Sequence, residues 1–348
     1  MNEIRQILSD SVNGLLSDRV TREFLTEFDQ TGSAGTLWQD LTDLGVTRPM
    51  VAEENGGVGC EWADALVLVK AAGYHAAPVP LAETIVATWL LEKAGLPVPD
   101  GAVTLGECAD DAELMLNGDG KANGRLRRVA WADVAEHVVA VAETDDAPRL
   151  VCLPVSSAER TANENVAKEA RDDLTFDGAA AQSAPLGDLS ADIIRLLGGA
   201  IRAAQIAGAM ERVLEQTVMY ANERTQFGRP IGKFQAIQQE LASMAGEAAA
   251  SGVIAEAPFS ALDRQEDPRW LIAAAKSRTS EAAGRGTSVS HQTHGAIGFT
   301  YEHELQFFTR RLWSWRSEFG TSTWWNKQLG EQVISRGTGN FWADITDR

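Results

Sequence analysis

Glu223-Arg224-Thr225-Gln226-Phe227-Gly228-Arg229-Pro230-Ile231-Gly232-Lys233-Phe234-Gln235 separates two long helical patterns, and its reading decides the fold. Upstream, from Ala191 to about Arg224, Ile194, Leu197, Ile201, Ala204, Ala207, Met210, Leu214 and Val218 share one broad face. A period sustained over more than thirty residues is too long for an ordinary surface helix. It predicts a bundle that continues into a subunit interface. Downstream the helical spacing resumes from about Lys233 to Ala257. The turn between them is broken by Gly and Pro and carries Arg224, Arg229 and Lys233. Guanidinium forks and free amides at the start of the next helix suit a phosphate, and the same residues suit a solvated helix-helix loop.

Further helical patterns run over about 268–295, 302–315 and 322–336, so residues 189–348 are expected to form a C-terminal helical bundle that serves in oligomerisation. Residues 1–97 also read as helices, in ILSDSVNGLLSDRV, TLWQDLTDLGV, WADALVLVKAAGYHA and LAETIVATWLLEKAG. Between them, residues 98–188 change to short β-type runs, AVTLG, AELMLNG, RRVAW, HVVAVAE and RLVCLPV, bounded by acidic turns such as Glu107 to Glu113. That texture predicts a small, mostly antiparallel β domain. The expected fold is mainly α with a β domain in the middle.

The chain has 348 residues, 44% of them hydrophobic, with 31 Lys+Arg against 49 Asp+Glu and a formal charge of -18. This is enough for two or three domains. The acidic balance and the lack of a basic tract exclude nucleic acid and anionic membranes as first partners. Cys60, Cys108 and Cys152 form no CxxC pair, so neither a metal cluster nor a disulfide framework is expected. With no secretory leader and no membrane-length apolar run, the expected location is the cytoplasm. The charge is uneven: residues 201–348 hold 16 basic and 16 acidic residues, so the whole excess lies in residues 1–200. An anionic ligand is therefore better tolerated by the C-terminal part.

The turn at Arg224 resembles the flavin-contacting turn of the acyl-CoA dehydrogenase family, and three further motifs follow the same order. Leu37-Trp38, Leu41, Leu44-Gly45-Val46 and Glu53-Glu54-Asn55-Gly56-Gly57-Val58-Gly59 are similar to its first-domain signature. Ala71-Ala72-Gly73 with Ala77-Pro78-Val79-Pro80-Leu81 resembles the next helix and its cap. Gln292-Thr293-His294-Gly295-Ala296-Ile297-Gly298-Phe299-Thr300 resembles the Gln-x-His-Gly-Gly-x-Gly-aromatic-Thr motif. The resemblance implies an FAD shared between subunits, with Arg224 on the pyrophosphate, Gln226 and Phe227 along the adenosine, and Gln292 and Gly295 near adenine and ribose. Thr321 joins this cofactor set, and His294 is expected to be a buried structural histidine. It also implies an acyl-CoA substrate, introduction of an α,β double bond, and electron delivery to an electron-transfer flavoprotein.

Departures from the family pattern shape the expectation. The family base commonly sits in an aromatic-Glu-Gly-Thr motif, and here Glu318-Phe319-Gly320-Thr321 puts Phe319 at the base position with Glu318 one residue early. One residue turns a helical side chain by ~100°. Relatives with the base on the long helix would carry it near Gly198-Gly199, where no carboxylate stands. The Thr-Glu-Pro-x-x-Gly-Ser-Asp loop and the Trp-Ile-Thr strand are missing, the nearest stretch being Val129-Ala130-Trp131-Ala132. The pattern resembles the short, degenerate subunit of actinobacterial α2β2 acyl-CoA dehydrogenases of sterol or fatty acyl breakdown. Such a subunit would contribute the ADP half of FAD to a homologous partner. Alternatives are a self-sufficient homotetramer with Glu318 as base, and a non-enzymatic scaffold. Trp313, Trp315, Trp324, Trp325 and Trp342 suggest helix-seam or interface packing, or filling of an acyl pocket.

Overall fold

The computed structural model describes residues 3–108 and 113–346. Its N-terminal helices are α1 (Glu3–Arg19), α2 (Arg22–Thr31), α3 (Leu37–Asp43), α4 (Trp62–Tyr74) and α5 (Leu81–Lys93). The sequence reading lacks α2, which buries only Leu25, Phe28 and Asp29. Local caps define it instead: Thr21 Oγ1 accepts from Phe24 N, and Gly32, at φ 71°, donates its N–H to Phe28 O. At the start of α4, the distant Asp263 of the C-terminal part accepts from Trp62 N at 2.7 Å and Ala63 N at 3.0 Å. A carboxylate there meets unpaired donors and the favourable end of the helix dipole.

The strands are β1 (Val103–Leu105), β2 (Leu114–Leu116), β3 (Lys121–Ala130), β4 (His137–Ala142), β5 (Arg149–Pro154), β6 (Glu159–Thr161), β7 (Arg171–Ala180) and β8 (Gln182–Pro185). They form two four-stranded sheets ordered β1-β4-β5-β8 and β2-β3-β7-β6. Pairing is antiparallel except for β1 with β4, which is parallel. Alternation along β4 and β5 gives the first sheet two buried faces. Val138, Ala140, Val151 and Leu153 meet Leu126, Leu174 and Phe176 of the second sheet, while Val139, Leu150 and Cys152 join the core around α5. Thr84 on α5 pins β1 by donating to Val103 O at 2.8 Å and accepting from Val103 N at 3.1 Å. The long strand β7 escapes the sequence reading because Asp172 and Asp173 suggest a turn. Both carboxylates are buried and ion-paired, with Arg160 at 2.7 Å and Arg125 at 2.5 Å. Of the acidic turn from Glu107 to Glu113, residues 109–112 lie outside the described residues.

The C-terminal part contains α6 (Ile193–Glu223), a two-residue hairpin of β9 (Thr225–Gln226) and β10 (Arg229–Pro230), then α7 (Gln235–Asp263), α8 (Arg269–His294), α9 (Leu305–Trp315), α10 (Ser322–Arg336) and α11 (Phe341–Thr346). By length and composition α6 is apolar enough to cross a membrane, contrary to the sequence-based expectation of no such stretch. Almost all of its apolar window is buried inside the protein. Helix α7 continues past Pro258 to Asp263, beyond the end expected at Ala257. Pro258 and Phe259 are buried, and Phe259 packs edge-on against Trp62 at 5.9 Å between ring centroids. Tertiary packing there outweighs the missing N–H. Of the C-terminal tryptophans, Trp315 and Trp325 are buried while Trp313 and Trp342 are largely exposed.

Two glycines set the distance between the N-terminal helices and the bundle. A Cβ at Gly73 of α4 would lie 2.1 Å from Gln205 O, and one at Gly208 of α6 would lie 2.1 Å from Lys70 O. The helices therefore meet backbone to backbone. Gly208→Val should cost about 3 kcal/mol or more in denaturant unfolding, because the obstacle is main chain. Gly246→Ala on α7, where a Cβ meets open space, should gain up to about 1 kcal/mol. Equal effects at the two positions would contradict the close approach.

Candidate functional site

The hairpin after α6 is a tight turn with Phe227 at φ 52° and Gly228 at φ 77°, closed by Ile231 N donating to Arg224 O at 2.8 Å. Arg224, Gln226 and Phe227 are exposed, Phe227 at 91%. The Arg229 guanidinium lies 4.2 Å from the centroid of Phe234. Among the described residues, no carboxylate is ion-paired with Arg224, Arg229 or Lys233. The other motif lies beside this turn: Tyr220 on the last turn of α6 stacks on His294, directly before Gly295. Gln292 and Gly295 are exposed, and Gly295 has φ 66° with open space at its α-carbon. The five carried-over positions of the nucleotide half thus lie on neighbouring segments. Free guanidinium donors and bare glycine backbone fit a pyrophosphate and nucleoside. His294 is buried and donates from Nδ1 to Ser290 O at 2.8 Å, with burial lowering its pKa to about 4.

Glu318 and Thr321 belong to a different arrangement, on the turn between α9 and α10. Glu318 Oε1 accepts from Arg171 Nε at 2.8 Å and Asn165 Nδ2 at 3.2 Å. Its Oε2 accepts from Arg202 Nε at 2.7 Å and Arg171 Nη2 at 3.1 Å. Arg202 continues to Glu83 at 2.5 Å, and Arg171 to Glu169 at 2.9 Å, which pairs with Arg311 at 2.9 Å. Burial opposes the Glu318 charge, but Arg171 and Arg202 outweigh it and hold the carboxyl at about 2. A general base needs a free carboxylate with a raised pKa. The sequence-based candidacy of Glu318 as base is at odds with this geometry. Thr321 caps α10, its Oγ1 accepting from Trp324 N at 3.3 Å.

The neighbouring residue fills space. Phe319 has φ 51°, its carbonyl accepts from Trp325 Nε1 at 3.1 Å, and a Cβ at Gly198 would lie 2.3 Å from its ring. Trp325 closes against Gly199 in the same way, 2.8 Å from a Cβ there. Lys276, fully buried, donates to Arg316 O at 2.8 Å and Gly320 O at 3.1 Å, and burial lowers its pKa to about 7. Beside this turn, between the β sheets and the bundle, lies a cleft of about 1320 Å³ whose walls include Arg128, Asn165, Arg171, Gln292, Trp313 and Glu318. Sequence reasoning missed the charged chain entirely. Its only local signal is a charge inside an apolar helical run, Glu83 in LAETIVATWLL and Arg202 in GGAIRAAQIAG.

Sequence profiles of the acyl-CoA dehydrogenase N-terminal domain match residues 2–97, and those of the C-terminal domain match residues 198–334. The chain belongs to the acyl-CoA dehydrogenase family. Members of this family are flavin-dependent oxidoreductases. The acyl-CoA dehydrogenase IpdE2 of Mycobacterium tuberculosis is 29% identical over 89% of this chain and 91% of its own length. The acyl-CoA dehydrogenase FadE27 of the same organism is 24% identical over 95% of this chain and 97% of its own. The fold is that of the ChsE4-ChsE5 complex from M. tuberculosis, with a TM-score of 0.89 and 22% identity, covering 96% of this chain and 98% of that one. Phe319 and Gly198, which lie at or near the two positions where the resemblance leads one to look for a base, are in contact here.

Removing the Glu318 carboxylate leaves two buried guanidiniums short of a counter-ion. Glu318→Ala should cost about 3–5 kcal/mol. Because the folded pKa is depressed, the Glu318 contribution is complete above the ordinary value of 4.5 and is lost as pH falls toward about 2. Glu318→Gln should flatten that acid limb in urea titrations. Lys276 acts at the other end: the unfolded chain holds its proton more tightly, so stability should rise between about pH 7 and 10.5, and Lys276→Met should abolish that rise. Wild-type slopes in both variants would show that these groups are not coupled to folding as described.

Proposed function

We propose that this chain is one subunit of an FAD-dependent acyl-CoA dehydrogenase and that it lends the ADP-binding half of the cofactor site to a homologous partner in an α2β2 assembly. One contrast supports the reading: Arg224 is exposed with no carboxylate partner among the described residues, whereas Glu318 is held by two guanidiniums. In the complex, Arg224 engages the pyrophosphate, Gln226 and Phe227 follow the adenosine, and Gln292 and Gly295 meet adenine and ribose. Bound FAD supplies the hydride acceptor for introducing an α,β double bond into an acyl-CoA. The partner contributes the base, because no carboxylate stands at position 319 or 198 of this chain.

The similarity to a complex with two named components, ChsE4 and ChsE5, supports an unlike partner. A second structural neighbour, the Tcur3481-Tcur3483 steroid ACAD, has a TM-score of 0.86 at 22% identity and supports a steroid-derived thioester as substrate. The complex works in the cytoplasm and passes its electrons to an electron-transfer flavoprotein.

Purified alone, the chain should show little flavin absorption, and co-expression with a longer family member carrying the missing Glu should bring both flavin and dehydrogenase turnover. In that complex Arg224→Gln should lower FAD affinity about 10- to 100-fold, the worth of a charge-assisted contact. Stoichiometric FAD and turnover in a homotetramer of this chain would overturn the subunit reading. A complex that is active without flavin contact to Arg224 would overturn the assignment of the nucleotide half.

A further inference from the structure

For Arg224 and Gly295 to face one ligand, the ends of two different helices must keep a fixed spacing. A stack of three rings lies directly behind them. Tyr220 is one helical turn before Arg224, and its carbonyl accepts from the Arg224 N–H at 2.8 Å. Its ring lies over that of His294 with centroids 4.4 Å apart and planes 25° apart. The Tyr220 hydroxyl donates to His294 O at 3.3 Å, the carbonyl that leads into Gly295. His303 closes the stack edge-on, 4.6 Å from His294 and 6.0 Å from Tyr220. The loop that follows packs against the same residue, since a Cβ at Gly298 would lie 3.1 Å from His294 Cβ.

The stack differs from ordinary core packing in its place and polarity. Tyr220 is half-buried at the rim of the bundle, and the segments it joins are exposed on their other side. His294 is 4% exposed, and because Nδ1 donates to Ser290 O, the neutral ring carries its proton there. A neutral imidazole can lie flat against a phenol in this position without a counter-ion. Each helix end is thus tied to the other through a ring face and a hydroxyl-to-carbonyl bond.

We propose that Tyr220 and His294 are positioning residues of the nucleotide half-site, acting as a clamp that sets the spacing between the Arg224 turn and Gln292–Gly295. The proposal rests on the reading that both segments meet one nucleotide. Its mechanism is entropic: a clamp that orders both segments in advance spares the ligand that cost.

Two measurements on the full chain test it. Hydrogen-deuterium exchange without ligand should show Tyr220→Leu speeding exchange in both 224–234 and 291–299, with Tyr220→Phe, which keeps the ring stack, close to wild type. Calorimetric titration with ADP should show Tyr220→Leu binding about three- to tenfold more weakly at an unchanged unfolding midpoint, and Tyr220→Phe restoring most of the affinity. Faster exchange in only one segment, or in neither, would overturn the clamp. If wild type binds no ADP and Arg224→Gln changes nothing, the nucleotide role falls while the exchange result still decides whether the two segments are coupled.

Discussion

The carboxylate of Glu318, held between Arg171 and Arg202, is the contact on which the arrangement of the three parts of the molecule depends. The alternating series Glu83, Arg202, Glu318, Arg171, Glu169, Arg311 starts on α5 and passes through α6, the α9–α10 turn and the start of β7 before ending on α9. Its charges balance, and most of its members are buried. Burying such a series is costly unless every partner is in place, so its value lies in specifying one geometry more than in adding stability. A shift of the β sheets relative to the bundle would separate Arg171 from Glu318. A shift of the N-terminal helices would separate Glu83 from Arg202.

The same series governs the turn that follows. Phe319 adopts a left-handed backbone conformation that is unfavourable for an aromatic residue. It is kept there because Glu318 is anchored on one side while Trp325 and Lys276 grip the carbonyls of Phe319 and Gly320 on the other. One region of the chain is thus closed and internally satisfied. The hairpin at the far end of α6 is its opposite, with cations that have no carboxylate partner among the described residues.

Much of the layout was legible in the sequence because periodicity is a local property. The order of helical, β and helical parts and the bounds of α8 and α10 follow from apolar spacing and from the Gly and Thr residues that stop and start helices. The Gly/Pro-broken hairpin was legible for the same reason. Element α2 was lost because its short pattern buries few residues, and β7 because its aspartates suggest solvent, although each meets an arginine from another strand. The end of α7 falls beyond the expected Ala257 for a related reason, since packing around Phe259 and Trp62 decides that the helix continues. The ion series was invisible because Glu318 pairs with residues 147 and 116 positions away, and no local pattern encodes such partners. The residues expected to hold a nucleotide were singled out through a motif, whereas the rings behind them emerged only when α6 and α8 were seen side by side.

The seating of Phe319 on Gly198 also bears on what this turn can be made to hold. Arg202 lies 5.4 Å from the Phe319 ring and already serves two carboxylates. A glutamate placed at position 319 would enter the field of that guanidinium and be held ionised. A glutamate placed at 198 would need the ring removed first. Giving this turn a free carboxylate therefore requires several coordinated substitutions, each of which is unfavourable alone. The packing works as a lock: while the ring and the arginine are in place, no single substitution opens it.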